Sequence, residues 1–434
     1  MKICWQSNAG WSTSGYGVQT GIFTPALAQA GHEVTVAAYY GVQGSPIIKD
    51  GILNLPPLRD AYLNDIIESH MLHTKADLLL TFMDIWVLNP QIYGALPWCP
   101  WVPIDSEPIL PATLDALKSA KWIWAMSRWA EELIHKAELP QKTFYVPLAI
   151  NTDEFRPINR AEARAKIGKT WERDLDGKFV VAMCSANVGV PSRKGFFEAF
   201  SAFAELAKQY DDALLYCHTD PLGLYGEPLD DVMALVGLDP QRVIFPNLYH
   251  YQMGMLNPAY LNTVYNAADV FLHASHGGGF EIPLVEAQAA GCPVICTAKT
   301  AMTELIFGGY PVLRTTPFMY SPGALQFLPD IGELRDGLAW FHKQWEWSDE
   351  RARGVATERA VAYDYRHVLN TYMQPALDEI AEDLAREAVA KKTEPEVETP
   401  VPTEPEKHQT AIPAAPWHTY LTPPPRKSAV GTAW

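Results

Sequence analysis

The chain has 434 residues, of which 48% are hydrophobic and 19% are charged, and its formal net charge is −16. This composition is typical of a globular protein and argues against general disorder. The six cysteines are too few for a disulfide scaffold, and no apolar run approaches the roughly 18 residues of a membrane span. The first seven residues turn polar too quickly for a signal peptide. We therefore expect a cytoplasmic protein with no membrane span.

The negative charge is unevenly distributed. Residues 1–157 carry a net charge of −5, residues 158–390 carry −11, and residues 391–434 are neutral. Neither half has the basic stripe of a nucleic-acid groove, because binding to phosphates depends on clustered lysine and arginine. The charge therefore argues against general nucleic-acid binding.

The first 157 residues predict a Rossmann-like domain. Residues 1–6 predict a strand, residues 8–17 a loop with three glycines, and residues 18–30 a helix. The alternation of strand, loop, helix and strand is typical of a parallel α/β unit. Further strands are predicted at 32–38, 76–82, 97–103, 122–126 and 143–146.

A second α/β series starts at Lys178. Its first strand, residues 179–184, is fully apolar, as expected in a sheet that is covered on both faces. Strands are also predicted at 213–218, 243–245, 270–274 and 293–296, with helices at 196–210 and 284–290. We assign residues 158–345 to this second doubly wound domain.

The remainder of the chain divides into two parts. Residues 330–390 have a helical pattern, and we expect residues 346–390 to return toward the first domain. Nine prolines fall between Pro395 and Pro425, interspersed with Glu and Thr and without apolar periodicity. Residues 391–434 are therefore predicted to be a disordered tail.

Two facing α/β domains leave a cleft at the carboxyl ends of their strands, where ligands of such sheets bind. On the second domain this edge carries a strand, a loop with Gly277, Gly278 and Gly279, and then a helix. Glycines let a ligand approach the backbone, and a helix start at Pro283 presents N–H groups to an anion. An ordinary βαβ corner, whose glycines serve only the turn, is the alternative interpretation.

Residues 275–287 resemble the donor-site segment of retaining GT-B glycosyltransferases of family 4 type. The matching positions are Ser275, Gly279, Phe280, Pro283, Glu286 and Ala287. In this family the second Glu of the motif holds the nucleotide ribose, which implies that role for Glu286. The resemblance likewise makes Gly279 and Phe280 candidates for donor binding.

Two positions depart from the family pattern. Gly278 stands where the family has its first Glu, which contacts the transferred sugar, and Glu281 stands where the family has Gly. Glu281 is our candidate to take over the sugar contact. Altered or lost handling of the sugar is the alternative.

The resemblance extends over about 380 residues, through the segments 31–34, 146–157 and 192–195. In the last of these, Arg193 and Lys194 lie at a strand–helix junction, where two adjacent cations can neutralise a departing diphosphate. The family often has an Arg six residues before the Lys; that position is Val188 here, so Arg193 is the substitute candidate. A solvated Arg-Lys turn is the alternative.

Other candidates come from the remaining strand ends. By resemblance, the loop with Gly15 and Gly17 lies near the donor phosphates and the acceptor. Asp105, after a first-domain strand, is the candidate for an acceptor or sugar contact, with Asp84 as a weaker competitor; an ordinary surface-loop aspartate is the alternative for Asp105. His218 ends a second-domain strand and is a candidate for nucleotide contact or a structural histidine.

Two further kinds of site are rejected. The Gly15 loop has Thr20 in place of the third glycine of a dinucleotide fingerprint. Asp174 and Asp176 precede a strand, which is the wrong end of the sheet for the metal motif of the other glycosyltransferase fold. We expect a metal-independent reaction without a cofactor, with a nucleotide-diphosphate sugar as co-substrate.

The resemblance thus implies a retaining, hexosyltransferase-type enzyme that moves a sugar from this donor to an acceptor hydroxyl. A catalytically weak GT-B module that binds sugar or nucleotide or scaffolds partners is one alternative, and a nucleotide-sugar epimerase on the same fold is another. Small molecules, lipids, proteins and modified DNA bases remain open as acceptors. Some bacteriophage glycosyltransferases resemble this plan.

Overall fold

The computed structural model describes residues 1–223, 225–344 and 351–393. Met1–Leu384 forms one compact unit, and a second unit begins at Ala385. The first unit contains two large sheets, one built from residues 2–145 and the other from residues 179–312. Both sheets thus fall within the halves of the chain where the α/β patterns predict them.

The first sheet has eight strands, and only one of its strand pairs is antiparallel. The strand order is β3-β4-β2-β1-β5-β6-β7-β8, with β3 and β4 antiparallel. The strands are β1 (Lys2–Asn8), β2 (Glu33–Tyr40), β3 (Ile47–Lys49), β4 (Ile52–Leu55), β5 (Leu78–Phe82), β6 (Trp98–Val102), β7 (Trp122–Ala125) and β8 (Lys142–Tyr145). The helices between them are α1 (Gly15–Gln29), α2 (Ile67–Thr74), α3 (Pro90–Tyr93), α4 (Pro111–Leu117) and α5 (Arg128–Lys136).

The second sheet has six parallel strands, in the order β11-β10-β9-β12-β13-β14. The strands are β9 (Phe179–Cys184), β10 (Ala213–His218), β11 (Val243–Ile244), β12 (Val270–His273), β13 (Val294–Thr297) and β14 (Gly309–Val312). Its helices are α6 (Arg160–Trp171), α7 (Phe196–Ala207), α8 (Leu229–Val236), α9 (Leu248–Gln252), α10 (Pro258–Ala267) and α11 (Ile282–Ala289).

A hairpin follows the second sheet and was not predicted. Its strands β15 (Thr315–Ser321) and β16 (Ala324–Pro329) are antiparallel. The hairpin pairs with the first domain, since the backbones of Glu107 and Leu325 exchange two hydrogen bonds of 3.1 Å. It therefore links the two halves of the unit.

The first domain is built on buried tryptophans. Trp5, Trp101 and Trp124 are inaccessible to solvent, and Trp101 meets each of the other two edge-on, with ring centroids 5.9 Å apart. The indole N–H of Trp5 donates to Thr20, and that of Trp101 donates to the carbonyl of Val146. Burial on both faces of the sheet explains why these strands are apolar without alternation.

Helices complete the described chain: α12 (Ile331–Gln344), α13 (Arg351–Ala360), α14 (Tyr365–Val368) and α15 (Gln374–Thr393). Asp364, before α14, receives hydrogen bonds from Thr152 and Arg366. Burial opposes ionisation, but these hydrogen bonds lower the pKa of Asp364 to about 2. The C-terminal helices are thus fastened to the end of the first domain.

The exact domain limits at residues 157, 345 and 390 stay a prediction. Helix α15 continues to Thr393, so the first three residues of the expected tail are helical, and residues 394–434 lie outside the described residues. Within the described ranges, no helix is both long enough and apolar enough to cross a bilayer.

Candidate active site

The glycine loop of the second domain packs directly on the first domain. The loop runs from β12 to α11, which begins at Ile282. A Cβ atom at Gly277 would lie 2.3 Å from the carbonyl oxygen of Asp105, and one at Gly279 would lie 2.8 Å from Cα of Pro103. Cβ atoms do not fit at these distances. Glycine at both positions therefore allows the loop to lie this close to the end of β6. The predicted donor residue Gly279 therefore has a packing role.

The four residues predicted to be catalytic lie together beside this contact. Lys194 Nζ lies 2.6 Å from Oε1 and 2.8 Å from Oε2 of Glu281. Arg193 lies 3.9 Å from Glu281 on one side and 3.9 Å from Asp105 on the other. We call these four residues the central cluster. It joins one carboxylate of the first domain to three charged groups of the second.

The Arg-Lys turn is fixed by its backbone and is not a freely solvated turn. Gly195 has a positive φ of 67°, and a Cβ there would lie 2.0 Å from the carbonyl oxygen of Ala274. The carbonyl of Arg193 accepts a hydrogen bond from the backbone of His276, and its guanidinium donates to the carbonyl of Gly277. The two cations are therefore held against the glycine loop.

Glu281 occupies space beside the position where the family has its first Glu. A Cβ atom at Gly278 would lie 2.4 Å from Glu281 Oε1, so the carboxylate folds back over residue 278. The side chain is buried, and His273 Nε2 lies 3.5 Å from its Oε2. Burial raises the pKa of Glu281, but Lys194, His273 and Arg193 together outweigh burial and hold this pKa well below the usual range.

Three helices begin around the central cluster. Helix α7 starts directly after Gly195, α11 starts after Glu281, and α1 starts at Gly15. A Cβ atom at Gly15 would lie 3.6 Å from the side chain of Ile282, so α1 and α11 begin next to each other. Helix N-termini attract anions through their free N–H groups and the helix dipole.

The start of α1 differs from the prediction. The apolar pattern predicts a helix from residue 18, with Gly15 and Gly17 in a loop, whereas both glycines belong to the first turn of the helix. The cause is Ser14, whose hydroxyl accepts a hydrogen bond from Gly17 N and so caps the helix three residues earlier. A Cβ atom at Gly17 would lie 2.2 Å from the carbonyl oxygen of Ser12, so this glycine serves the turn.

Glu286 and Phe280 lie on either side of the start of α11. Glu286 is buried and accepts a hydrogen bond of 3.2 Å from the hydroxyl of Tyr265. Burial raises the pKa of Glu286 to about 7. Phe280 packs on Tyr363 of the C-terminal segment, with ring centroids 5.7 Å apart.

His218 lies in an aromatic environment at the end of β10. Its Nδ1 is 2.8 Å from the hydroxyl of Tyr216, and its ring is 5.2 Å from that of Tyr251. Burial lowers the pKa of His218 to about 4, so the ring is neutral near pH 7. It can form hydrogen bonds to a ligand but carries no charge to offer a phosphate.

A second group of side chains lies on the other side of Asp105, and the sequence patterns did not reveal most of it. Tyr16 donates a hydrogen bond of 3.0 Å to Asp84. Asp84, Asp105, Trp86 and Tyr320 line a small cavity, which we call the Asp84 pocket. The position of Asp84 after a strand was a signal, whereas Trp86 lies in a short 3₁₀ turn at Ile85–Val87 and Tyr320 lies in the unpredicted hairpin.

Thr300 is a further residue that sequence patterns missed. Its hydroxyl accepts a hydrogen bond from Gly278 N, and its φ of 55° is unfavourable for a β-branched residue. No sequence pattern marks such a backbone.

Among the described residues, no group of three or more His, Cys, Asp or Glu side chains is placed to hold a metal ion. That the reaction is independent of metal stays a prediction.

Comparison with known proteins relates this site to glycosyltransferases. Residues 180–325 match the family model of the Glycosyl transferases group 1. The matched segment includes Arg193, Lys194, Glu281 and Glu286. The D-inositol 3-phosphate glycosyltransferase of Segniliparus rotundus is 31% identical over 176 residues, which are 40% of this chain and 34% of the relative. The chain thus aligns with about a third of the length of this curated relative.

Solved structures resemble almost the entire described chain. Sucrose-phosphate synthase from Thermosynechococcus elongatus superposes with a TM-score of 0.67 at 17% identity, covering 90% of this chain and 100% of that one. The α,α-trehalose 6-phosphate synthase from Burkholderia multivorans has a TM-score of 0.63 at 13% identity, covering 90% and 99%. The fold is GT-B. The pneumococcal O-GlcNAc transferase, solved with UDP and GlcNAc, shares this GT-B fold with a TM-score of 0.59 at 10% identity, covering 88% and 99%.

Proposed function

We propose that the protein is a retaining glycosyltransferase of the hexosyltransferase type, which moves a sugar from a nucleotide-diphosphate sugar to an acceptor hydroxyl without a metal ion. The observation that carries the proposal is the position of Arg193 and Lys194 directly before the start of α7, within the segment that matches the family model. The retaining outcome and the family 4 subtype rest on the motif at residues 275–287.

The diphosphate is the leaving group, and its negative charge increases as the glycosidic bond breaks. Arg193 offers a planar fork of N–H donors and Lys194 a compact charge, both suited to phosphate oxygens. The helix N-termini add N–H dipoles that are already oriented. Fixed donors directed at developing charge lower the barrier because they need no reorganisation during the reaction.

The two glutamates of the donor segment have different roles in this proposal. Glu286 accepts hydrogen bonds from the ribose hydroxyls once it is ionised. Glu281, which folds back over Gly278, accepts hydrogen bonds from the hydroxyl groups of the transferred sugar. It also holds Lys194 in position. Phe280 and His218 border the nucleotide, and Asp105 accepts a hydrogen bond from the acceptor hydroxyl across the cleft.

A screen of UDP-, GDP- and ADP-sugars for thermal stabilisation tests the proposal. A ligand at 100 times its Kd stabilises a protein by about 2.7 kcal/mol, so one donor should raise the unfolding temperature clearly. Lys194→Ala should then lower sugar transfer or donor hydrolysis by at least about 100-fold, by analogy with the loss of one donor to a developing charge. Lys208→Ala, an exposed lysine at the end of the same helix, is the matched control. No stabilisation by any donor would contradict the proposal.

A second candidate is a GT-B module that binds the nucleotide but turns over poorly. Gly278 favours it, because the carboxylate that the family places there is absent and Glu281 is engaged with Lys194. Nucleotide binding without transfer or hydrolysis would favour this candidate. An epimerase on the same fold would instead convert the donor into its epimer without an acceptor, which anion-exchange chromatography of the reaction resolves.

A further inference from the structure

We propose that hydrogen bonds through Trp171, Tyr260 and Tyr216 fix His218 as a hydrogen-bond donor to the base of the nucleotide sugar. This inference rests on the proposed function and adds three residues that position His218 without contacting the ligand themselves. We call the four side chains the histidine network. They come from three elements, since Trp171 ends α6, Tyr260 lies on α10, and the other two lie on β10.

Strand β10 places Tyr216 and His218 side by side. Residues two apart on a strand point to the same face, and the hydroxyl of Tyr216 lies 2.8 Å from Nδ1 of His218. That hydroxyl also lies 3.0 Å from the hydroxyl of Tyr260, which accepts a hydrogen bond of 3.1 Å from the indole N–H of Trp171. Trp171 also stacks on the ring of Tyr216, with centroids 4.5 Å apart. The four side chains thus form one continuous series of hydrogen bonds.

Trp171 sets the direction of these hydrogen bonds. An indole N–H can only donate, so the oxygen of Tyr260 accepts from it. The proton of Tyr260 then has one acceptor among the described residues, the oxygen of Tyr216, whose own proton goes to Nδ1 of His218. In the opposite direction Tyr260 would accept two hydrogen bonds, and its proton would have no acceptor in the described part of the chain. All members of the histidine network are satisfied only if His218 accepts at Nδ1.

A neutral histidine that accepts at Nδ1 carries its proton on Nε2. Burial lowers the pKa of His218 to about 4, so the ring is neutral near pH 7. Burial also raises the pKa of Tyr216 well above its ordinary value, so its hydroxyl keeps the proton that it donates. Nε2 of His218 has no hydrogen-bond partner within the residues that the structure describes and is not sealed off from solvent. The Nε2–H group is therefore a donor available to a ligand.

His218 lies near the residue that we assign to the ribose. Its register partner on the neighbouring strand β9 is Cys184. Burial, followed by the nearby carboxylate of Glu286, raises the pKa of the Cys184 thiol, so Cys184 adjoins Glu286 as well as His218. The base of a nucleotide is attached to its ribose, so a ribose on Glu286 brings the base within reach of His218. Tyr251, whose ring lies 5.2 Å from that of His218, borders the same place.

A neutral N–H group suits the base better than the diphosphate. Charged donors bind phosphate more strongly than neutral ones, and the cations Arg193 and Lys194 lie in the central cluster. The carbonyl oxygens and unprotonated ring nitrogens of a base are uncharged acceptors that match a neutral N–H. With its proton on Nδ1, His218 would instead present a lone pair on Nε2 and repel these atoms. The histidine network thus determines whether the ring attracts or opposes the base.

NMR of the full chain with ¹⁵N-labelled histidine tests the tautomer in the free protein. Long-range ¹H–¹⁵N couplings distinguish a proton on Nε2 from one on Nδ1, and the signal lost in His218→Phe assigns His218. We expect the proton on Nε2 at pH 7 in the wild type and a mixture of tautomers in Tyr216→Phe. Tyr210→Phe is the matched control, because Tyr210 precedes β10 and stacks on another histidine, His342. It should leave the tautomer of His218 unchanged.

A double-mutant cycle measured with UDP, GDP and ADP tests the contact with the base. Tyr216→Phe and His218→Phe should each weaken binding of the nucleotide that the wild type binds most tightly by about tenfold, as expected for the loss of one hydrogen bond. The double variant should bind no more weakly than either single variant, because Tyr216 acts through His218. A tyrosine that only supports the fold would give losses that multiply to about 100-fold.

Each contrary result has a distinct meaning. A proton on Nδ1 in the free wild type, a tautomer that Tyr216→Phe does not change, or losses that multiply would each overturn the inference. If a nucleotide still binds the wild type in those cases, the proposed donor site survives and only the role of the histidine network is wrong. If none of the three nucleotides binds, the proposed function and this inference both fail.

Discussion

Replacement of Glu286 by Gln separates the stability of the fold from the binding of the donor. Burial raises the pKa of Glu286 from its ordinary value of 4.5 to about 7, which corresponds to about 3 kcal/mol. Between these pH values the unfolded chain has lost the proton while the folded chain keeps it. The free energy of unfolding therefore falls by about 3 kcal/mol as the pH rises from about 4.5 to 7 and beyond.

Urea unfolding at pH 5 and pH 8 measures this effect. Gln cannot ionise, so Glu286→Gln should lack this part of the pH dependence and be more stable than the wild type at pH 8. Donor affinity should change in the opposite sense, rising through pH 7 in the wild type as the carboxylate forms and staying weak in the variant. Glu162→Gln, an exposed glutamate on α6, is the control. Identical pH dependence in wild type and Glu286→Gln would refute the reasoning.

Three further substitutions test contacts in the central cluster, in the glycine loop and at the C-terminal segment. Glu281→Gln leaves the charge of Lys194 buried without its partner and should lower the free energy of unfolding by about 3 kcal/mol, measured by urea titration at pH 7. Gly277→Ala should lower it by more than about 1 kcal/mol, because the added methyl would lie 2.3 Å from the carbonyl oxygen of Asp105; wild-type stability would contradict that contact. Asp364→Asn should cost about 2 kcal/mol at pH 7. Its deficit should shrink as the pH falls from about 4 toward 2, since the wild-type carboxylate with its pKa of about 2 then becomes protonated as well; a deficit independent of pH would exclude the proposed hydrogen bonds.

The alternation of apolar strands and helices predicted the parallel core of both sheets but missed the edge strands β3, β4 and β14. Apolar runs such as residues 179–184 are distinctive because they are buried on both faces. The proximity of Arg193, Lys194 and Glu281 followed from the rule that side chains at the carboxyl ends of parallel strands share one edge, whereas Asp105 meets them only because the ends of the two sheets face each other. Short-range capping was harder to predict, because the hydroxyl of Ser14 starts α1 before its apolar pattern begins.

The hairpin β15–β16 and the pocket beneath it could not be predicted in the same way. Most residues of β15 are exposed, so the strand lacks the alternation that marks a half-buried strand, and it contains Pro317. The packing of Gly277 and Gly279 against residues 103–105 depends on how the two halves meet, which no local pattern encodes. A loop glycine that admits a ligand and one that admits a neighbouring backbone look the same in a sequence.

The most direct test of the donor site is a crystal structure of the protein with a nucleotide-diphosphate sugar bound. The account predicts the diphosphate within hydrogen-bond distance of Arg193 and Lys194, the ribose on Glu286, and the sugar beside Glu281. A diphosphate bound elsewhere, with Lys194 still paired only with Glu281, would contradict it.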